Sequence, residues 1–502
     1  MAAYLVAAVV VLLVLIVTFF KHQFSYWDKR GVNYFTPSIP FGNLTSPFKK
    51  STSIGEYIRN LYVKARKNNW KHYGVYFFTN PVYMAIHLDV IKLILSKDFQ
   101  YFVDRGFFYN EKIDPLGAHL FAIGGTKWKN LRRKLTPTFT SGKMKQMFGI
   151  VAKCGLILDK VMEQELETNQ PVNIKEVLAR FTTDVIGTCA FGLECNSFEN
   201  KDSPFRYYGK KMLNLGTKLQ RIALSIAMSF PKLGVALGVR QIDKDVSDFF
   251  FNIVKDTVEF REKNNIVRKD FLQLLLEMKS DDDKSDGDGN TLTITEIAAQ
   301  CLLFFLAGFE TSSTAMTFAL FELAQNPELQ DKAREEVMRV LARHNGEITY
   351  ESISEMHYMD QVLDESLRKY PPLPMVTRVC VKDYKIPNED IVIEKGTKVV
   401  VPIYGIHHDT EYYDEPEKFD PERFSPENKA KRNPYSHIPF GEGNRICIGL
   451  RFGVMQSKVG LAVLLKNYKF KLNHKTKFPI VFEPTSFILS AEGDIWVDCC
   501  RI

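Results

Sequence analysis

Apolar residues along this chain gather into three long runs, and the runs predict the elements. Residues 2–20 carry no charge over 19 positions. That is close to the length needed to cross a bilayer, so a membrane-spanning helix is expected there. A second run opens on Thr293-Ile294-Thr295-Glu296, a capping box, and stays apolar to Ala324 before Asn326-Pro327 stops it. The predicted helix has roughly 30 residues, on the order of 45 Å, and is apolar nearly all round, so it belongs in the middle of a core. A third run, residues 448–465, reads as a helix behind a glycine-rich loop. Strand-like patches fall at residues 75–87 and 487–497. No internal repeat appears, and beyond about residue 50 no linker is long enough to divide the chain. The expected organisation is an anchor over residues 1–20, a Pro-containing linker over 21–50, and one mainly helical domain with small β-sheets over 51–502.

The flanks orient the anchor. Lys21, Lys29 and Arg30 follow the first run and no Lys or Arg precedes it, which puts the N-terminus in the lumen and the rest in the cytosol. A cleaved secretory signal competes with this reading, but the basic start and small-residue cleavage site of such a signal are missing. Asn43-Leu44-Thr45 could accept a glycan only in the lumen, so Asn43 is expected bare. Pro37 and Pro40 suggest a stiff spacer or hinge between anchor and domain. Residues 279–290, rich in Asp, Lys, Ser and Gly, look like a calcium loop until the register is tried. With Gly289 as the turn glycine, Lys284 falls on the first ligand position and Thr295 on the last. A solvated loop between helices is expected instead.

Composition narrows the classes. Hydrophobic residues are 45% and charged residues 25% of 502, so the chain is globular rather than disordered. Its 38 phenylalanines suit a large apolar cavity, although a big core would use the same residues. A net charge of +7 is modest at this length and does not point to nucleic acid; a local basic face for an acidic partner fits better. The eight cysteines form neither a zinc-type Cys-x-x-Cys pair nor the Cys-x-x-Cys-His of covalent heme attachment, and they read as reduced thiols. There is no Walker loop, no Gly-x-Ser-x-Gly elbow and no complete dinucleotide fingerprint. The chain does not visibly bind its own reductant, so electrons must come from a partner.

The chemistry concentrates in Pro439-Phe440-Gly441-Glu442-Gly443-Asn444-Arg445-Ile446-Cys447-Ile448-Gly449. Cys447 stands just before a helix N-terminus, where the dipole and backbone N–H groups favour thiolate over thiol. Gly441, Gly443 and Gly449 allow tight turns and close approach to a bulky flat object, and Arg445 can hold an anionic group at its edge. A thiolate facing a planar dianion describes heme with a cysteine axial ligand; the plainer reading is a buried cysteine in a turn. With Phe440, Gly443, Arg445, Cys447 and Gly449 in place, the stretch resembles the heme-binding signature of the cytochromes P450.

Further motifs follow in the order that family uses. Ala307-Gly308-Phe309-Glu310-Thr311 puts a glycine, an acid and a hydroxyl in a buried helix. Either the helix kinks with its polar groups satisfied, or it opens over a cavity and presents a carboxyl–alcohol pair there. The run resembles the family's oxygen-activation motif, which implies that Thr311 hydrogen-bonds dioxygen and Glu310 relays protons from water. Trp128 and Arg132, four apart, share a helical face. Alone they are an ordinary aromatic–cation pair; the resemblance implies that they reach a heme propionate, as does Arg378. Glu365 and Arg368, with Arg423 downstream, correspond to the family's buried charge network, which supports the heme loop without being catalytic. Phe107, Phe121, Leu303, Leu306, Ala307, Val376 and Phe487 fall where the family contacts substrates, though aromatic residues there could equally be core. His407-His408-Asp409 looks like metal chemistry, but adjacent histidines share no helix or strand face and are read as structural.

The resemblance runs over nearly the whole chain and is strongest toward the insect microsomal enzymes of family six. It implies a cytochrome P450 fold behind a single N-terminal transmembrane helix, in the endoplasmic reticulum membrane with the catalytic domain on the cytosolic side. It implies heme b with its iron on Cys447, and insertion of one oxygen atom from O2 into apolar small molecules, xenobiotics such as plant toxins or insecticides. NADPH would act indirectly, through NADPH–cytochrome P450 reductase, with cytochrome b5 as a candidate second donor. Lys129, Arg133, Lys134, Lys429, Lys431 and Arg432 would meet the reductase. The alternatives are a hydroxylase of an endogenous hormone or lipid, a heme-thiolate isomerase or dehydratase needing no reductase, and a membrane-tethered heme sensor. The intact Glu310-Thr311 pair argues against the last two.

Overall fold

The long apolar run is the axis of the fold. In this computed structural model the structure describes residues 1–44, 52–200, 203–213, 216–279 and 291–502. Most of the acidic run, Thr45 and the end of the linker lie outside them. Helix α1 (Ala2–Phe24) buries none of its side chains and is long and apolar enough to cross a membrane. It runs four residues past the uncharged stretch, because Lys21, His22 and Gln23 are good enough helix formers to continue it. Helix α2 (Ile54–Lys67) starts on a Ser53–Glu56 capping box.

The first strand-like patch is a hairpin, β1 (His72–Phe77) and β2 (Asn80–Ala85), that opens a four-stranded sheet. The chain continues through α3 (Gly125–Leu135), a short strand β3 (Val172–Asn173), α4 (Ile174–Phe191), α5 (Ile294–Gln325) and α6 (His357–Lys369). Strands β4 (Val376–Val379) and β5 (Lys398–Val401) complete the first sheet in the order β1-β2-β5-β4, with β5 parallel to β2 and antiparallel to β4. Helix α7 (Leu450–Asn467) leads into β6 (Tyr468–Leu472) and β7 (Trp496–Arg501), which join β3 in a second sheet ordered β3-β7-β6. The second strand-like patch therefore shifts: a regular strand begins only at Trp496, Ala491 makes an isolated antiparallel bridge to Phe482, and Ile488, Leu489 and Ile495 are buried from a loop.

Helix α5 is 32 residues long, capped by Thr293, whose hydroxyl accepts the Glu296 amide, while the Glu296 carboxylate accepts the Thr293 amide. It stays α-helical throughout. Gly308 is where α4 crosses it: a Cβ there would stand 2.8 Å from the Ile186 side chain. One large core of helices surrounds α5, and a smaller core fills the first sheet.

The segment behind α1 docks on that sheet. The Trp27 indole is buried against Gly74 and donates to the Val75 carbonyl at 3.1 Å. The Tyr76 hydroxyl accepts the Trp27 amide at 3.1 Å and donates to the Phe24 carbonyl at 2.8 Å. Asn43 is buried, its amide donating to the Phe35 and Thr36 carbonyls and its oxygen accepting the Tyr76 amide. The amide that a glycan would need is thus already bonded inside the fold. Gly74→Ala would drive a Cβ into the indole, and overpacking of this kind costs about 1–3 kcal/mol. A lowered unfolding temperature and faster tryptic cleavage at Lys29 and Arg30 are expected; unchanged values for both would refute this account of the docking.

Candidate active site

The Cys447 loop is built from the residues its motif specifies. Gly441 and Gly443 adopt φ of +72° and +73°, the left-handed region that favours glycine. Gly443 sits flush against the Leu95 carbonyl, so its place is in the turn and not on a cavity wall. The Phe440 carbonyl accepts the Cys447 amide at 3.0 Å. Gly449 caps α7, and its backbone N–H points at the Cys447 sulfur. Cys447 is exposed on the wall of a cavity of about 460 Å³. Burial pushes its thiol up, against the Gly449 amide, Arg105 and Arg132, which favour the thiolate. In the polypeptide alone desolvation thus outweighs the helix-terminus effect expected from the sequence.

Arginines converge on the same cavity. Trp128 and Arg132 reach it from one face of α3, and Val376 and Arg378 from β4. Arg445 lies over the Trp128 ring at 4.1 Å and donates to the Ile123 carbonyl at 2.9 Å, with Asp104 at 3.9 Å. Sequence reasoning missed Arg105, two residues before Phe107. Arg105 lies over Phe121 at 4.1 Å and donates to the Arg445 carbonyl at 3.1 Å. Burial lowers Arg105 to about 10 and Arg445 to about 9, and it takes Arg378 well below its ordinary value with help from both neighbours. Arg378 Nε and Arg445 Nε and Nη1 are buried with no hydrogen-bond partner. Buried guanidinium groups that crowd one another and keep free donors fit the carboxylates of a planar dianion.

Helix α5 supplies the opposite wall. Leu303, Ala307 and Thr311, spaced by four, line the cavity, and Phe107, Phe121 and Phe487 face them. Phe107 packs on both other rings, at 4.9 Å and 5.9 Å. Leu306 lies off this face, one helical step away among the core helices. Thr311 donates to the Ala307 carbonyl at 2.5 Å, a back-bond to the preceding turn of its own helix. Glu310 does not join Thr311: it opens to a second cavity of about 370 Å³ behind the helix, with Lys175, Arg206, Lys210 and Asp494. Consecutive helix residues point about 100° apart, so one helix serves two cavities. Burial raises the Glu310 pKa, opposed by Arg206, Lys175 and Lys210. Gln456 of α7, also missed, donates to the Gly308 carbonyl at 2.8 Å and the Ser312 hydroxyl at 2.5 Å; an amide inside an apolar run was its signal.

Below the loop, Glu365 and Arg368 are fully buried and paired twice, at 2.7 Å and 2.9 Å. Arg368 also donates to the carbonyls of His407 and Pro416, and Arg423 stands 3.5 Å from Glu365. His408 bonds only within its own turn, to the Tyr404 carbonyl at 3.0 Å. Among the described residues no group of three or more His, Cys, Asp or Glu side chains could hold a metal. Cys447 stands at its cavity alone, which suits a metal carried by a macrocycle.

A family model described as Cytochrome P450 matches residues 40–496. The chain belongs to the cytochrome P450 family. It is 42% identical to cytochrome P450 6a8 of Drosophila melanogaster over 98% of each chain, and 42% identical to cytochrome P450 6a9 of the same fly over 99% of each. Cytochrome P450 6a2 of that organism is 41% identical over 96% of each. A cytochrome P450 binds heme with a cysteine thiolate ligand, and the arginine cradle, the glycine turn and the cavity-facing sulfur fit that group. In this P450, Arg368→Ala would strand the buried Glu365 carboxylate at a cost of ~3–5 kcal/mol. Purified protein without heme is the expected outcome, read from the ratio of heme to protein absorbance; normal heme content would contradict it.

Proposed function

We propose that this P450 is a monooxygenase of apolar xenobiotics, such as plant toxins or insecticides, held at the endoplasmic reticulum by α1 with its catalytic domain in the cytosol. The observation that carries the reading is the placement of Cys447 and Thr311 on one cavity whose apolar lining includes Phe107, Phe121, Leu303, Val376 and Phe487. A wall of this kind selects by size and hydrophobicity more than by fixed hydrogen bonds, which suits many substrates over one. Heme, when bound, supplies oxygen activation, with the cysteine thiolate favouring O–O cleavage. Arg105, Arg132, Arg378 and Arg445 hold its carboxylates, and Cys447 is its ligand. One oxygen atom enters the substrate and the other leaves as water, which takes two electrons and two protons. Thr311 offers a hydroxyl at the cavity, and Glu310 passes protons from the polar cavity behind α5. Its raised pKa keeps the carboxyl protonated closer to neutrality than an ordinary Glu.

The electrons come from NADPH through the reductase, with cytochrome b5 as a second donor. Lys129, Arg133 and Lys431 are exposed on the basic face. Lys134 donates to the Thr291 carbonyl, Lys429 pairs with Asp364, and Arg432 lies over Tyr413 and Phe424, so these three are engaged within the chain. The docking role therefore rests on the first three.

Dithionite-reduced membranes with carbon monoxide should show the red-shifted Soret band in wild type and lose it in Cys447→His; a wild-type protein loaded with heme but lacking that band would sink the thiolate reading. Glu310→Gln should keep the band yet slow NADPH-supported turnover on the order of a hundredfold, the usual scale of a lost proton-transfer group. In wild type the rate should fall as pH rises past the Glu310 pKa, and the variant should lack that limb; equal turnover in both would remove Glu310 from the proton path. Lys129→Glu and Arg133→Glu should each weaken reductase coupling up to about fivefold at low salt, the ~1 kcal/mol of an exposed ion pair. Indifference to both the substitutions and added salt would exclude this face.

A further inference from the structure

His407 is fully buried and both of its ring nitrogens are engaged. Nε2 accepts the Ile438 amide at 3.1 Å, and an amide can only donate, so Nε2 carries the lone pair. The proton therefore sits on Nδ1, which faces the Arg368 carbonyl at 3.2 Å. Arg368 returns a bond, its Nη1 donating to the His407 carbonyl at 2.8 Å. The ring also stacks on His437 at 5.3 Å, and His437 in turn bonds the Asp364 carbonyl at 3.1 Å. Burial, His437 and Arg368 all push the His407 imidazolium pKa down, in keeping with one neutral tautomer.

From Ile438 the chain runs straight into the cysteine loop. The Ile438 carbonyl accepts the Gly441 amide at 2.9 Å, and the Phe440 carbonyl accepts the Cys447 amide at 3.0 Å. His407 thus joins Arg368, on α6, to the first hydrogen bond of the loop. We infer that His407 is a positioning residue for the cysteine ligand: as the Nδ1–H tautomer it sets where the loop starts relative to Arg368, and through that the seat of the Cys447 sulfur. This rests on Cys447 being the heme ligand.

The test uses the full-length, heme-loaded protein. His407→Gln can still accept from Ile438 through its oxygen and donate to Arg368 through its amide. His407→Leu fills similar space but can do neither. The ferrous carbon monoxide spectrum of His407→Gln should keep most of the red-shifted band, while His407→Leu should lose most of it, by conversion to an unshifted band or by loss of heme. Hydrogen exchange of the wild-type segment containing Ile438 should be slow, and slow independently of how either variant folds. A His407→Leu spectrum like wild type, a His407→Gln spectrum as damaged as His407→Leu, or fast exchange at Ile438 would each overturn the inference. A wild-type protein without the red-shifted band would instead overturn the assignment of Cys447.

Discussion

The ion pair between Glu365 and Arg368 is the contact on which the rest of the site depends. Both side chains are fully buried, which is costly for any charge unless every donor and acceptor is used. Arg368 meets that condition by splitting its fork between the carboxylate and the carbonyls of His407 and Pro416. Glu365 meets it by also accepting the Asp420 amide. The pair thereby fixes three separate stretches of chain against α6: the turn at His407, the loop near Pro416 and the segment carrying Arg423. A pair of leucines could fill the same volume, but it would hold none of these backbones in register. Directional bonds are what the fold gains for the desolvation, and the cysteine loop is their beneficiary.

The second organising constraint is geometric. An α-helix that must be buried on nearly every side still turns each successive residue by about 100°. In α5 that rotation places Thr311 on an apolar cavity and Glu310 on a polar one. The two residues adjoin in sequence, yet they face cavities on different sides of the helix. Gly308 serves this arrangement by letting α4 come close, and Gln456 ties the carbonyl of Gly308 to the helix that begins at the cysteine loop. The helix stays α-helical through Gly308 and the back-bonded Thr311. Packing from α4 and a bond from α7 meet it where its own sequence is weakest.

Much of this was legible in the sequence because it rests on local rules. The Thr293–Glu296 capping box and the Asn326-Pro327 stop bound α5 within a residue or two. The spacing of Phe440, Gly443, Arg445, Cys447 and Gly449 reads out a turn, a cation and a ligand without reference to the rest of the fold. What escaped depends on which face a side chain takes or on contacts far apart in sequence. Glu310 and Leu306 were placed by motif, and helical phase put them elsewhere. Arg105 carries no local pattern and Gln456 only that of an amide inside an apolar run, and their roles appear when distant parts of the chain converge. Residues 487–495 show the limit of a strand-like apolar patch, which reports burial more surely than regular strand pairing. The Pro-containing connector was read as a spacer or hinge, while Trp27 and Asn43 fasten it to the first sheet through residues some 30 to 50 positions away.

The electrostatics of the site run in one direction for every group. Burial lowers Arg105, Arg132, Arg378 and Arg445, and it raises Cys447. Each shift favours the neutral form, so the polypeptide by itself resists the charges its chemistry needs. A dianion among the guanidinium groups reverses the first set, and a cation at the sulfur deprotonates the thiol outright. Heme carries both at once, the propionates at its edge and the metal at its centre. Binding such a group would therefore be coupled to ionising the site, and a group that binds only the folded chain stabilises the fold that binds it. The Glu365–Arg368 pair contacts no part of the cavity, yet through His407 it is bonded to the residue from which the cysteine loop starts.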